Sequence, residues 1–348
     1  MKIALRVAAA AAILVLVLVV AGIVWLIYPG EPGRSQVLHF ERYVLLPNHG
    51  LLNVLDYMNV EGRWLYVGGA SAGSIIRVDL GLANLPVSEW QGGEGRVHGI
   101  AIAGSHGLAF ETRSGTNTVD VLSLPRLVRI ASIAVPEDPD AILYDPRYDL
   151  IYVANGDPGL ATLIDPSTRT KVATITLGGK PEFAALDPQS GLVYQNIEST
   201  GELAAIDLGK RRVFGRWSLG SCAGPTGLTI DAVRRRAFIV CGKSAQLVVF
   251  DLNRDRIVTS LKIGSGPDAV AFDPGLKRIY ATGLGGQVSV TAQIDADTYK
   301  NLDVVPTHFA AHTLAVDPRT HAVYVGYASL VVSPRIAVFS AMERQPDR

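Results

Sequence analysis

PDAILYDPRYDLIYV, residues 139–153, returns as PEFAALDPQSGLVYQ at 181–195 and as PDAVAFDPGLKRIYA at 267–281. Looser copies stand at 225–239 (PTGLTIDAVRRRAFI) and 311–325 (AHTLAVDPRTHAVYV), with degraded ones beginning at Val97 and Asn53. The seven starts, 53, 97, 139, 181, 225, 267 and 311, are spaced by 44, 42, 42, 44, 42 and 44 residues. A period of that size marks a repeat architecture. Thirteen residues after each start sits an aromatic: Tyr66, Phe110, Tyr152, Tyr194, Phe238, Tyr280 and Tyr324. Aromatics are only 7% of the chain, so seven in seven trials is not chance.

Each unit reads as four short strands. The first is an apolar run ended by Asp145, Asp187, Asp231, Asp273 or Asp317, in four of these cases followed by Pro. Asp favours turns and Pro cannot donate to a ladder. The second strand carries the aromatic. The third resembles ATLID or LVVFD, and the fourth KVATITL or IVTSLKI, with alternating apolar residues. Offsets three and five of the first strand are mostly large (Ile142 and Tyr144) and offsets two and four mostly small (Ala269 and Ala271), as for a strand sandwiched near an axis. Helical repeats of this period exist, but β-branched alternation and Gly/Pro breaks oppose them. Four strands per unit make a propeller blade. The expected fold is all-β, a seven-bladed β-propeller with four-stranded blades, preceded by one N-terminal transmembrane helix.

The last unit lacks a fourth strand, while residues 37–46 have strand character ahead of the first unit. That segment is expected to complete the last blade and remove an open sheet edge.

Lys2 and Arg6 precede an uninterrupted apolar run of 22 residues, 7–28. A bilayer-spanning helix needs roughly 20, whereas a cleavable signal has an apolar core of about 7–15. The run reads as an uncleaved anchor, with basic residues kept on the cytoplasmic side. A cleaved, secreted form is the alternative. The expected division is an anchor at 1–29, a tether at 30–36, the propeller at 37–342 and a tail at 343–348. The expected location is the bacterial cell envelope, on the periplasmic side, anchored in the inner membrane.

Formal net charge is zero, with 32 basic and 32 acidic residues. A nucleic-acid partner would need a basic excess, so none is expected. The Arg234-Arg235-Arg236 run reads as a solvated turn. Apolar residues are 48%, which excludes disorder. No P-loop, H-E-x-x-H, G-x-S-x-G or haem-attachment motif occurs.

The phrases DPRYDLIYVAN and DPGLKRIYATG, repeated around a ring, resemble the YVTN-repeat (YncE-like) propellers. The resemblance covers residues 37–342. It implies an extracytoplasmic binding or interaction module and brings no catalytic residue with it. Asn59-Val60 and Ala103-Gly104 replace Asp-Pro in the first two units, which marks their loops as specialised.

The residue one after each start opens an innermost strand at the channel mouth: Val54, His98, Asp140, Glu182, Thr226, Asp268 and His312. His98, Asp140, Glu182, Asp268 and His312 are therefore the candidate ligand-binding residues, able to hold a polar ligand through charge-assisted hydrogen bonds. The competing reading is structural: Asp after Pro at a strand start satisfies backbone N–H groups. The flanking loops add Arg96, Arg113, Lys180 and His308 as a secondary rim. His106 and His321 fall at the opposite turns and read as structural. No metal or cofactor is expected. The two cysteines, Cys222 and Cys241, fall at the adjoining ends of two antiparallel strands, which favours a disulfide in an oxidising compartment. Such a loop contributes on the order of 3 kcal/mol in the chain-entropy account.

Two functions follow. The leading one is a non-enzymatic, membrane-tethered module binding a small molecule or an envelope protein. The alternative is a propeller-type lactonase or lyase using His98, His312 and Glu182 as acid–base groups. Histidines turned into the channel beside carboxylates would favour the enzyme.

Overall fold

The computed structural model describes residues 2–27 and 32–342, so residue 1, the junction at 28–31 and the expected tail at 343–348 lie outside it. A helix, Lys2–Ile27, precedes seven antiparallel four-stranded sheets. Blade 3 is typical: Pro139–Asp145, Leu150–Asn155, Leu160–Asp165 and Thr170–Thr176 run in order from the axis outward. In blade 7, Thr313–Asp317, Ala322–Tyr327 and Arg335–Ala341 are completed by Leu38–Leu45, in antiparallel register from Leu38↔Ala341 to Leu45↔Arg335. The ring is thus closed by backbone hydrogen bonds between its two ends. A two-residue ladder, Leu52–Asn53 on Ser329–Leu330, adds to the seam.

Apolar residues from successive blades interleave. One layer joins Tyr152, Leu163 and Ile175 of blade 3 to Val193, Ala204 and Ile206 of blade 4. The repeated aromatic lies in such layers: Tyr152, Phe238 and Tyr280 are fully buried. The repeated Asp is buried too, and part of its work is local. Asp231 accepts from the Val233 and Arg234 N–H groups at 3.0 and 3.1 Å, and Asp273 from Gly275 and Leu276 at 2.9 and 3.2 Å. This turn geometry explains why the residue recurs.

The same turns pin blade to blade on the face opposite the mouth. His106 meets Asp149 at 2.7 Å and His321 meets Asp273 at 2.9 Å. The arginine run is not a solvated turn. Arg235 pairs with buried Asp187 of the preceding blade, while Arg236 is buried and pairs with Asp251 at 3.2 Å and Asp297 at 2.8 Å. The cysteines form a disulfide, Cys222–Cys241, across the start of blade 5.

The N-terminal helix is described at its side chains only over residues 12–24, all of them exposed. Among the described residues, no helix is long and apolar enough to cross a membrane.

Candidate functional site

Six inner strands pair nine residues back from the aromatic, as in Tyr152↔Leu143 and Tyr280↔Ala271. In blade 1 the offset is seven, Tyr66↔Asn59, because Glu61 and Trp64 are joined by a two-residue turn with Gly62 in the left-handed region (φ 58°). Counting from the aromatic therefore places the first start two residues early. The counterpart of Asp140 is Asp56 and not Val54. This is a correction to the expected ring, and Asp56 is the residue that sequence reasoning missed.

The mouth is a basin of about 280 Å³ that takes Asp56, His98, Asp140, Glu182, Thr226, Asp268 and His312 from the seven blades, with Asp138 and Lys180 from the loops. The five expected mouth residues thus share one cavity. His98 Nδ1 lies 2.7 Å from Asp56 Oδ2 and 3.5 Å from Asp140, and its Nε2 lies 2.7 Å from Ser114 Oγ. His312 Nδ1 lies 3.1 Å from Asp268. Lys180 Nζ reaches Glu182 at 3.3 Å. The Thr226 hydroxyl donates to the backbone, 3.2 Å from the Pro267 carbonyl.

The rest of the secondary rim lies elsewhere. Arg113 is buried with Glu111 (2.5 Å) and Asp120 (3.3 Å), and its guanidinium donates to the carbonyls of Gly73 and Glu94. His308 is buried against Tyr327, with Nδ1 2.8 Å from the Phe309 carbonyl. Arg96 is exposed at the strand start, outside the basin lining.

The basin has a floor. Tyr57 and Phe183, each next to a mouth carboxylate, meet edge-to-face across the axis with ring centroids 4.9 Å apart. The Tyr57 hydroxyl donates to Asp140 at 3.1 Å. Below the pair lies a separate, mostly apolar vestibule of about 480 Å³, lined by Met58, Leu228, Val270 and Leu314 among others. The signal was present in the sequence: the second position of an inner strand is otherwise Gly99, Ala141, Gly227, Ala269 or Thr313, so two large aromatics there must fill the channel. A Cβ on Gly99 would come within 3.2 Å of the Tyr57 ring, so the small neighbour makes room for the floor.

Burial and crowding of like charge dominate the electrostatics. Desolvation, then the Asp56 charge, push Asp140 up to about 7. Desolvation and the Asp140 charge push Glu182 up to about 8, outweighing the Lys180 ammonium. Burial raises the Tyr57 hydroxyl well above its ordinary value, with the surrounding carboxylates adding to it. Burial acts to lower both histidines but loses to their partners. Asp56 and Asp140 hold His98 above its usual value; Asp268, Asp56 and the Leu55 backbone do the same for His312. Among the described residues, no group of three His, Cys, Asp or Glu side chains is placed to hold a metal ion.

No family profile matches the chain. Among curated proteins it is similar to "Uncharacterized protein YncE" of Salmonella typhimurium, 28% identical over 196 residues, which is 55% of this chain and 54% of that protein. The protein of the same name from Salmonella typhi is 27% identical over 196 residues. The chain spans about half the length of the curated relatives it matches. Among solved structures, a chain of Kuenenia stuttgartiensis Hydrazine Synthase superposes with a TM-score of 0.68 over 79% of this chain and 94% of that one, at 15% identity, a likeness of fold alone. Sequence relatives and blade topology together support a YncE-like seven-bladed β-propeller.

Proposed function

We propose that the protein is an extracytoplasmic binding module, held at a membrane by its apolar N-terminal segment, and that the mouth basin takes a small organic cation of the ammonium type. The observation that carries the reading is the blind basin itself: one polar side chain from each blade, converging above an aromatic floor. Five carboxylates, Asp56, Asp138, Asp140, Glu182 and Asp268, face one lysine and two histidines. Two of those carboxyls favour the neutral acid. The basin thus holds protons that an arriving cation would displace. Carboxylates with an aromatic face are the chemistry that recognises ammonium groups. The membrane part of the reading rests on the uninterrupted apolar run at 7–28, which continues past the described side chains.

The test is calorimetric titration of the full chain with tetramethylammonium and putrescine, with acetate as the anionic control. Cation binding should tighten as pH rises through about 7 and about 8 and should release protons. Asp56→Asn should weaken it roughly tenfold, an opposed buried charge being worth about 1–2 kcal/mol. Acetate binding as well as the cations, or binding indifferent to pH, would overturn the reading.

Two observations favour the enzyme as a second reading. His98 and His312 both line the basin beside carboxylates, Asp56 and Asp268, as that reading expects. Ser114 Oγ, His98 and Asp56 are hydrogen-bonded in the order nucleophile, base, orienting carboxylate. Ser114, however, is buried and does not line the basin. Covalent labelling by a fluorophosphonate that is lost in Ser114→Ala would establish this reading over the first.

A further inference from the structure

The chain enters the propeller on the mouth face. Gly33 N–H donates to the Pro306 carbonyl at 2.7 Å, at the top of the outer strand of blade 6. From there residues 33–37 descend the edge of that blade: Ser35 donates to Asp303 at 2.7 Å, and the Val37 carbonyl accepts from Arg278 at 3.3 Å in the lower turn. Only then does the chain turn back up as Leu38–Leu45. The helix Lys2–Ile27 lies beside Ser329–Leu330, which also belongs to a mouth-face loop.

That corner of the mouth face carries exposed apolar side chains: Leu51, Leu52, Leu284, Phe309, Leu330 and Val331. They come from four different loops, and hydrogen bonds join the loops into one surface. Leu52 pairs with Leu330, Val331 N–H donates to the Leu51 carbonyl at 2.7 Å, Ala310 N–H donates to the Leu284 carbonyl at 3.3 Å, and Ala328 N–H donates to the Ala310 carbonyl at 3.4 Å, which links the two pairs. Apolar residues scattered singly on a surface need no explanation, but a contiguous patch does. The described part of the helix is Ala, Ile, Leu, Val and Gly on every side and exposed throughout. A helix apolar all round belongs in a protein core or in lipid, and no propeller surface covers it.

We infer that the mouth-face sector of blades 6, 7 and 1 rests on a lipid surface, so that the basin opens toward the membrane from which the helix comes. The inference rests on the tether reading above. It commits to lipid because the patch is continuous with the apolar helix and adjoins its point of entry. Burying the patch in the acyl boundary would hold the propeller against the bilayer.

The experiment uses the full chain reconstituted in vesicles of phosphatidylethanolamine and phosphatidylglycerol. An environment-sensitive fluorophore is placed on Leu330→Cys, on Leu51→Cys as a second site should the first misfold, and on Val233→Cys, which is 79% exposed at a turn on the opposite face. The native cysteines are joined in their disulfide and do not compete for the label. Quenching by brominated lipid should reach the Leu330 and Leu51 labels, with a blue-shifted emission, and spare the Val233 label. If the chain floats with the vesicles while the mouth-face labels stay aqueous, the orientation is wrong and the tether stands. If the chain does not float and every label is aqueous, both fail. Quenching at Val233 alone would place the opposite face on the lipid.

Discussion

Glu182 keeps its proton to about pH 8 because leaving water costs its charged form more than Lys180 returns, and Asp140 holds its own to about 7 beside Asp56. Each binds its proton more tightly in the folded state than in the unfolded chain. Their stabilising contribution is therefore complete below the ordinary carboxylate range and is lost as pH rises through about 7 and about 8. The raised histidines push the same way, since their contribution is present below their ordinary value and fades above it. The ligand-free protein should lose melting temperature between roughly pH 5 and 8. The double variant Glu182→Gln, Asp140→Asn should make that slope shallower, leaving the share of Glu111, which burial pushes up to about 7, as measured by thermal unfolding across a pH series; an unchanged slope would show that the basin carboxyls are not its source. At this scale the sequence was legible in part. His98, Asp140, Glu182, Asp268 and His312 could be assembled because a repeat maps sequence offset onto position around the axis. Asp56 was hidden because that mapping assumes equal hairpins, and the Glu61–Trp64 turn is two residues shorter. Arg113 reads as a rim cation because its strand ends at the mouth; what turns it inward is Glu111 on its own strand and Asp120 on the paired strand, together with the Gly73 and Glu94 carbonyls of loops earlier in the chain.

At the scale of elements, blades 1 and 4 each carry one large residue at the inner position where their five counterparts have Gly, Ala or Thr. Tyr57 and Phe183 make a floor where a ring of Gly, Ala and Thr would leave a bore. Phe183→Ala should join basin and vestibule into one passage. Removing a largely buried ring costs about 3–4 kcal/mol of stability. If an ammonium ligand stacks on the floor, the same change should weaken it roughly tenfold, about 1 kcal/mol of that being the lost ring contact. Calorimetric titration beside a denaturant curve separates the two effects. Full stability loss with unaltered tetramethylammonium affinity would remove the floor from the site and leave the carboxylate walls. The blade elements were readable because Asp turns, buried aromatics and alternating outer strands each leave a mark at a fixed offset. The floor is harder to read, because at offset two the small majority of Gly99, Ala141, Gly227, Ala269 and Thr313 masks the two aromatic exceptions.

The whole molecule has one open polar face and one pinned face. His106, Arg235 and His321 tie neighbouring turns below, while the loops above carry the basin, the seam ladder and the apolar corner. If that corner lies on lipid, a cation reaching the basin arrives from the layer of headgroups, where anionic lipid concentrates it. The seam has a consequence in time. Leu38–Leu45 finds its partner only in Arg335–Ala341, which leaves the ribosome about 300 residues later, roughly 15–60 s at ordinary synthesis rates. Through that interval the segment that will finish the ring is an unmated strand, and the arrival of Thr313–Asp317, Ala322–Tyr327 and Arg335–Ala341 decides at once whether it is ever used.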